Sequence, residues 1–261
     1  MSDEKTVDTQ PMEVVEKKKF DFPTEIVELP SKGLLYPKSN PLSSGKIEMK
    51  YMTAKEEDIL TNQAYIQKGI VIDKLLQALI VSPIQYKDLL ICDKNAVLVA
   101  ARVLGYGEIY EFEYAGEKQQ IDLSKLENKD VDYTPFEKGE NNFEFTLPAT
   151  NRVITFKMLT HEDESNIARE IEGLKKIKKD SSADLSTRMK YVITSIDGQT
   201  DVKAIRNFVD NEFLARDARA FRNHIRDFQP DLDLRFYPEN GPSGGVDIPI
   251  GVGFFWPDAG V

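Results

Sequence analysis

The sequence predicts an α+β fold in which helical units are each entered from a β-strand or hairpin, with an extended N-terminal segment and a C-terminal β tail. Three observations predict it. Short runs that alternate apolar and polar residues, such as GKIEMKYM, are typical of strands. Such runs pass into segments that begin with a threonine followed three positions later by an acidic residue, which is a helix-start pattern. The chain has 261 residues, of which 41% are hydrophobic, so it is long enough to bury a sizeable core.

The first 45 residues are predicted to lie outside the helical units. Residues 1–20 mix acidic and basic side chains with few core-forming residues, and we predict a flexible arm. Residues 21–45, here called the strap, contain four prolines, which exclude a helix, together with several large apolar side chains. An extended apolar segment of this kind lies across a surface rather than folding alone.

Residues 46–135 are predicted to form a strand, three helices and a hairpin. Thr53 and Glu56 have the spacing of a capping box and open the first helix. The run IDKLLQALIV predicts a second, apolar helix. Asp93 is predicted to cap the third helix, which ends at Gly105. The run EIYEFEY-AGEK-QQIDLS then indicates the hairpin.

Residues 136–228 are predicted to form a hairpin and a second helical unit. The hairpin is FEFTLPATNRVITFKML, and Thr160 with Asp163 is a weaker helix-start box. Residues 229–261 change character again, because DLDLRFYP and VDIPIGVGFFWP alternate or extend without helical spacing. They are predicted to be C-terminal β-strands and an aromatic tail.

An internal repeat is a hypothesis that the sequence raises. KIEMKYMTAKEEDIL resembles VITFKMLTHEDESNI, and DKNAVLVAAR, which begins at Asp93, resembles DNEFLARDAR, which begins at Asp210. Both matches combine a helix start with acidic residues in the first turn. The alternative is that similar caps reflect the same helix-dipole physics without any duplication.

Charge and cysteine content exclude several classes of protein. The net charge is -10 and the isoelectric point about 4.9, so nucleic acid is a poor partner, and the basic run at residues 175–179 is predicted to be the solvated end of a helix. A single cysteine, Cys92, excludes an intrachain disulfide and a cysteine-rich zinc site. The N-terminal residues do not resemble a signal peptide, and no membrane span is predicted, so we expect a cytoplasmic protein.

The sequence predicts that the protein is not an enzyme. Its two histidines are His161 and His224, and the HEDES run lacks the second histidine of a zinc-protease helix because position 165 is Ser165. Phosphate-loop and nucleophile-elbow motifs are missing from the sequence. We therefore expect no catalytic residues, no cofactor-binding residues, no metal ligands and no cofactor.

The apolar, extended ends of the chain are the candidate functional segments. Extended segments can add a strand to a neighbouring sheet or fill a groove on a partner. The alternative is that strap and tail pack across the body of their own chain. The candidate partner-binding residues are Leu29, Leu34, Leu35, Tyr36, Phe254, Phe255 and Trp256.

Four motifs resemble a known family. They are ELPSKGLLYP, the strand followed by T-x-K-E-E-D, DKNAVLVAAR leading to GYG, and the closing FFWPDA. Over residues 22–261 the chain resembles the baseplate hub proteins of T-even-type contractile-tailed phages. The resemblance implies a non-enzymatic role in tail and baseplate assembly, with other hub or tail proteins as partners.

Two functional alternatives remain at this point. The resemblance implies either a hub subunit of the virion baseplate or an assembly chaperone that acts in the host cytoplasm and leaves. A function of another class is an acidic binding module directed at a host protein, which a net charge of -10 would suit. The mixed signs of segments such as KKIKKD and RNHIRDF speak against a single acidic face.

Overall fold

The computed structural model describes residues 23–177, 183–238 and 241–255. It confirms the predicted α+β class, because these ranges contain eight α-helices and nine short strands arranged in four small antiparallel sheets. One hydrophobic cluster extends through both halves of the chain. The arm predicted for residues 1–20 lies outside the described residues.

The first half contains the predicted strands, helices and hairpin. Its antiparallel pairs are β1 (Thr24–Glu28) with β2 (Lys46–Lys50), and β3 (Ile109–Tyr114) with β4 (Glu117–Asp122). Its helices are α1 (Ala54–Leu60), α2 (Gln63–Gln67), α3 (Val71–Leu79) and α4 (Ile91–Tyr106). The strap therefore begins as a strand, and the hairpin after α4 is where the sequence predicted it.

The predicted cap of α4 was wrong. Asp93 is the third residue of the helix, because Leu90 is the extended residue that precedes it. A backbone hydrogen bond from the Ile91 N–H to the Leu159 carbonyl, 2.9 Å long, fixes the helix start against the second half of the chain. The helix also continues past its predicted end and stops at Gly107, whose φ of 85° an L-residue rarely adopts.

The second half has a three-stranded sheet and four helices, followed by a small C-terminal strand pair. The sheet order is β5 (Phe143–Thr146), β6 (Val153–Phe156), β7 (Ile193–Ile196). The helices are α5 (His161–Ile177), α6 (Asp184–Val192), α7 (Val202–Asn207) and α8 (Ala215–Phe228), with a π-helical turn at Phe208–Glu212 before α8. The last pair is β8 (Arg235–Phe236) with β9 (Val246–Asp247).

Both halves enter their first helix through the same contacts. In the first half, the Lys50 ammonium lies 2.7 Å from the Glu56 carboxylate, which also accepts the Thr53 N–H at 3.1 Å. The Thr53–Glu56 capping box is therefore confirmed. The same roles and spacing recur at Lys157, Thr160 and Asp163, with an ion pair of 2.8 Å and a hydrogen bond of 3.0 Å. In each half the lysine neutralises a buried carboxylate that caps the start of the helix.

One later helix of each half, α3 in the first and α6 in the second, also ends in the same way. α3 and α6 each have nine residues. The residue after each helix is extended and pairs antiparallel with the second strand of its own half, as Ile80 does with Met49 and Ile193 does with Phe156. The helix end is thus tied to the strand that precedes it in the chain.

The last helix of each half contains a buried aspartate at its third position. α4 and α8 follow Leu90 and Leu214, and these aspartates are Asp93 and Asp217. The proposed match of Asp93 to Asp210 was therefore wrong, because Asp210 lies in the π-helical turn before α8. The contacts that the two halves share fit the duplication hypothesis with Asp217 in place of Asp210.

Candidate partner-binding segments

The strap packs into the core of its own chain. Leu29, Leu35 and Tyr36 are each at most 2% exposed, and Leu34 is partly buried against the same cluster. Backbone hydrogen bonds hold the segment at both ends, for example from the Leu29 N–H to the Gly45 carbonyl at 2.8 Å. In this conformation the predicted partner-binding residues of the strap offer a partner little or no side-chain surface. Their positions agree with the alternative in which the strap packs across the body of its own chain.

Asp93 joins the strap to α4. Its carboxylate accepts hydrogen bonds from the Ser31 N–H at 2.8 Å, from the Ser31 hydroxyl at 2.7 Å and from the Tyr36 hydroxyl at 2.7 Å. Tyr36 in turn accepts the Leu90 N–H at 3.0 Å, so the network also fixes the start of α4. Burial raises the pKa of the Asp93 carboxyl and that of the Tyr36 hydroxyl.

The second half uses its aspartate in the same way. Asp217 accepts hydrogen bonds from the Ala149 N–H at 2.7 Å and from the Thr150 hydroxyl at 2.8 Å. These donors belong to LPATN, the loop between β5 and β6, as Ser31 belongs to LPSKG, between β1 and β2. In each half, a helical aspartate satisfies the backbone of the loop that links the first two strands.

The turn of the strap leaves no room for a side chain at Gly33, and this gives a prediction. Gly33 has φ of 73°, and a Cβ there would lie 2.5 Å from the Gly45 nitrogen. We expect Gly33→Ala to lower the free energy of unfolding by more than the roughly 1–3 kcal/mol of backbone strain alone, because backbone atoms must also move. Urea denaturation measures the loss.

Gly116→Ala is the matched control for that substitution. Gly116 has a similar φ of 82°, but a Cβ there would have nothing within 4 Å among the described residues. It should therefore show the strain cost alone, about 1–2 kcal/mol. Equal losses for the two variants would contradict the packing of the strap turn against Gly45.

The described part of the C-terminal tail also packs into the hydrophobic core. Phe254 and Phe255 are buried, and the Phe254 ring makes an edge contact with Tyr110 of β3 at a centroid distance of 4.9 Å. The Tyr110 hydroxyl donates to the Pro249 carbonyl at 2.9 Å, which fastens the tail to the hairpin. Trp256, the third predicted aromatic, lies outside the described residues. The described aromatics thus close the chain's own core and are not available to a partner in this conformation.

A polar cluster lies in the cleft between the two halves. Asp73 accepts hydrogen bonds from the Tyr86 hydroxyl at 2.8 Å and from the Lys94 ammonium at 2.5 Å, and the His161 Nδ1 lies 3.9 Å away. The cleft has a volume of about 1090 Å³ and is bordered by α3, α4, α5 and residues of the C-terminal segment. Through Asp73 the cluster joins α3 to α4 and to the segment that carries Tyr86.

The two histidines make stability depend on pH, which gives a second prediction. Burial lowers the pKa of His161 and that of His224, which stacks on the Phe145 ring. The unfolded chain therefore binds more protons than the folded chain below a pH of about 6.5. We expect the free energy of unfolding to fall as the pH drops from about 7 to 5.5. Urea titrations across this range measure the slope.

A variant without histidine is the control for the pH dependence. Because the chain has two histidines, His161→Gln combined with His224→Gln removes the whole contribution. The slope should then flatten or reverse, since the raised pKa values of Asp93 and Asp231, both caused by burial, act in the opposite direction. An unchanged slope in this variant would contradict the assignment to histidine.

Two further properties bear on what the chain can do. Across residues 23–177, 183–238 and 241–255, no three His, Cys, Asp or Glu side chains are grouped so as to hold a metal ion. None of the helices in the described ranges has the length and apolar character that crossing a bilayer requires. Comparisons with protein-family models, with curated proteins and with solved structures find no match to this chain.

Proposed function

We propose that this chain is a non-enzymatic baseplate hub protein of a contractile-tailed phage, acting in tail assembly as a hub subunit or as an assembly chaperone. The observation that supports the proposal is the connection between the resembling motifs. ELPSKGLLYP and DKNAVLVAAR meet through the hydrogen bonds of Ser31 and Tyr36 to Asp93. Residues 62 positions apart in the chain thus act as one packing unit.

The other two motifs are joined to structural elements as well. The T-x-K-E-E-D run forms the capping box of α1. Phe254 of the closing motif packs on Tyr110, which follows GYG by three positions. Each of these motifs contributes to the core of this chain. Proteins with the same fold would keep such motifs, so the resemblance supports an architecture shared with the baseplate hub proteins as well as a shared role.

The surface gives less support to an acidic module directed at a host protein. Acidic side chains in the described part of the chain are repeatedly paired with basic ones. Arg152 contacts both Asp197 and Glu212, and Arg206 contacts Glu170. A mimic of nucleic acid needs a continuous negative face, whereas these pairs give a surface of mixed sign.

The test is to purify a tagged full-length chain from infected cells while tails are being assembled, and to identify the proteins in the eluate and in mature particles by mass spectrometry. Recovery of hub or tail proteins supports the proposal. Presence of the chain in the particle then assigns a hub subunit, and absence assigns a chaperone. Recovery of host proteins alone would contradict the baseplate role.

A further inference from the structure

An apolar groove runs between α6 and α8 on the second half of the chain. It consists of two cavities of about 220 and 270 Å³, which share Leu185, Met189 and Arg222 as lining residues. The groove is lined by Ala215, Ala218, Arg222, Ile225 and Arg226 of α8 and by Gln229 directly after it, and on the α6 side chiefly by Leu185, Arg188, Met189 and Val192. These side chains recur at intervals of three and four residues, so each wall is one face of a helix.

The groove exposes more of its helix than the matching face of the first half does. Counted from the aspartate at the third position of each helix, Leu98 and Ala101 of α4 correspond to Arg222 and Ile225 of α8. Ala101 is fully buried and Leu98 is buried at the border of the cleft between the halves, whereas Arg222 and Ile225 are half-buried and line the groove. Leu185 is 49% exposed, so apolar surface is accessible at the centre of the groove.

Among the described residues, Arg222 is the basic side chain of the groove that has no ion-pair partner. The cavity of about 220 Å³ is lined by four basic residues, Lys157, Arg188, Arg222 and Arg226, and by the acidic Glu164. Lys157 pairs with Asp163, Arg188 with Glu164 and Arg226 with the exposed Asp227. Arg222 is half-buried beside apolar side chains. Its uncompensated charge favours an acidic side chain on a ligand that reaches the groove.

We propose that the α6–α8 groove binds an amphipathic helix of a partner protein that carries large apolar side chains on one face and acidic residues beside them. The lined stretch from Ala215 to Gln229 covers 15 positions, or about 21 Å at the rise of an α-helix, which matches three to four turns of a bound helix. An apolar cavity of about 150 Å³ holds a benzene ring, so each cavity admits a large apolar anchor. An acidic residue beside the apolar face then meets Arg222. The inference does not depend on the baseplate role.

The test uses the full chain and a fluorescent 15-residue peptide with leucine at positions 1, 4, 5, 8, 11 and 12 and glutamate elsewhere. Fluorescence anisotropy should show saturable binding that weakens with added salt. A peptide with lysine in place of glutamate should bind at least about tenfold more weakly. Arg222→Glu and Leu185→Asp should each weaken binding of the acidic peptide about tenfold, the first through charge and the second through the lost apolar anchor site.

Arg219→Glu is the matched control, because Arg219 is an exposed residue of α8 that lines neither cavity. It should leave the affinity within about twofold, since an exposed charge outside the contact is screened. An equal loss in Arg219→Glu and Arg222→Glu would overturn the proposal in favour of non-specific attraction. Equal binding of the acidic and basic peptides, or no saturation, would also overturn it.

Two other occupants would be recognised in the same series. Sedimentation of the full chain as a dimer that Arg222→Glu dissociates would assign the groove to a second copy and overturn the partner proposal. Binding of the peptide only after removal of residues 1–22 would assign it to the chain's own N-terminal residues, with the same consequence. A monomeric full chain that binds the acidic peptide directly supports the proposal.

Discussion

Replacing Asp93 by alanine is expected to lower the free energy of unfolding by about 3–5 kcal/mol, because the substitution leaves several buried donors without an acceptor. The Ser31 N–H and hydroxyl and the Tyr36 hydroxyl all donate to this carboxylate. A hydrogen bond to a charged group contributes about 1.5–3 kcal/mol, and an unsatisfied buried donor adds a penalty. Urea denaturation with a common slope between variants measures the loss.

Two substitutions serve as controls for Asp93→Ala. Asp93→Asn keeps one acceptor for the Ser31 N–H and removes the buried charge, so its loss should be clearly smaller. Asp217→Ala removes two hydrogen bonds instead of three and should fall between the two. A loss below about 1 kcal/mol in Asp93→Ala would contradict the role of this network, since that is the size of an ordinary single hydrogen bond.

Phe255→Ala is expected to cost about 3–5 kcal/mol in the isolated protein, the usual cost of truncating a fully buried aromatic side chain. Phe255 is buried in the core and makes an edge contact with Phe254, at a centroid distance of 5.4 Å. Differential scanning calorimetry and urea denaturation of the purified chain measure the effect. The partner-binding alternative for the tail expects an unchanged melting temperature.

Tyr237→Ala is the matched control for the tail. Tyr237 belongs to the same C-terminal segment but is 60% exposed, so its truncation should cost about 0.5 kcal/mol or less. If Phe255→Ala were as mild as Tyr237→Ala, the tail would not be part of the core, and its aromatics would again be candidates for a partner contact.

Local patterns predicted most of the secondary structure. The α+β class, both hairpins and the helix starts at Thr53 and Thr160 followed from alternation and from capping spacing, which are properties of neighbouring residues. The start of α4 did not follow in this way. A backbone contact between Ile91 and Leu159 sets it, and a contact across 68 positions leaves no trace in the local sequence.

The role of Asp93 was misread for a related reason. An aspartate near a helix start is usually a cap, and this carboxylate instead turns toward the strap. A signal was present in the sequence, since LPSKG and LPATN each precede a second strand and a helix with aspartate at its third position. The match to Asp210 hid that signal, because the aspartate at the third position of α8 lies seven residues further along the chain, at Asp217.

The sequence identified the strap and the aromatic tail as apolar segments, but it did not show which surface covers them. Apolar residues between prolines need a partner surface, and periodicity does not distinguish the chain's own core from another protein. The groove between α6 and α8 was missed because its residues come from two separate helices, and local sequence does not show that the two helices border one groove. Its apolar floor becomes visible only when the two helices are placed side by side.

Amide hydrogen exchange of the isolated full chain tests the central claim most directly, namely that the strap belongs to this chain's own core. The Ser31 N–H is bonded to Asp93 and the Leu29 N–H to Gly45. We predict that both exchange only through global unfolding, at the rate of the interior amides of α4. Fast exchange at Ser31 and Leu29 while α4 stays protected would contradict the claim and return the strap to the set of partner-binding segments.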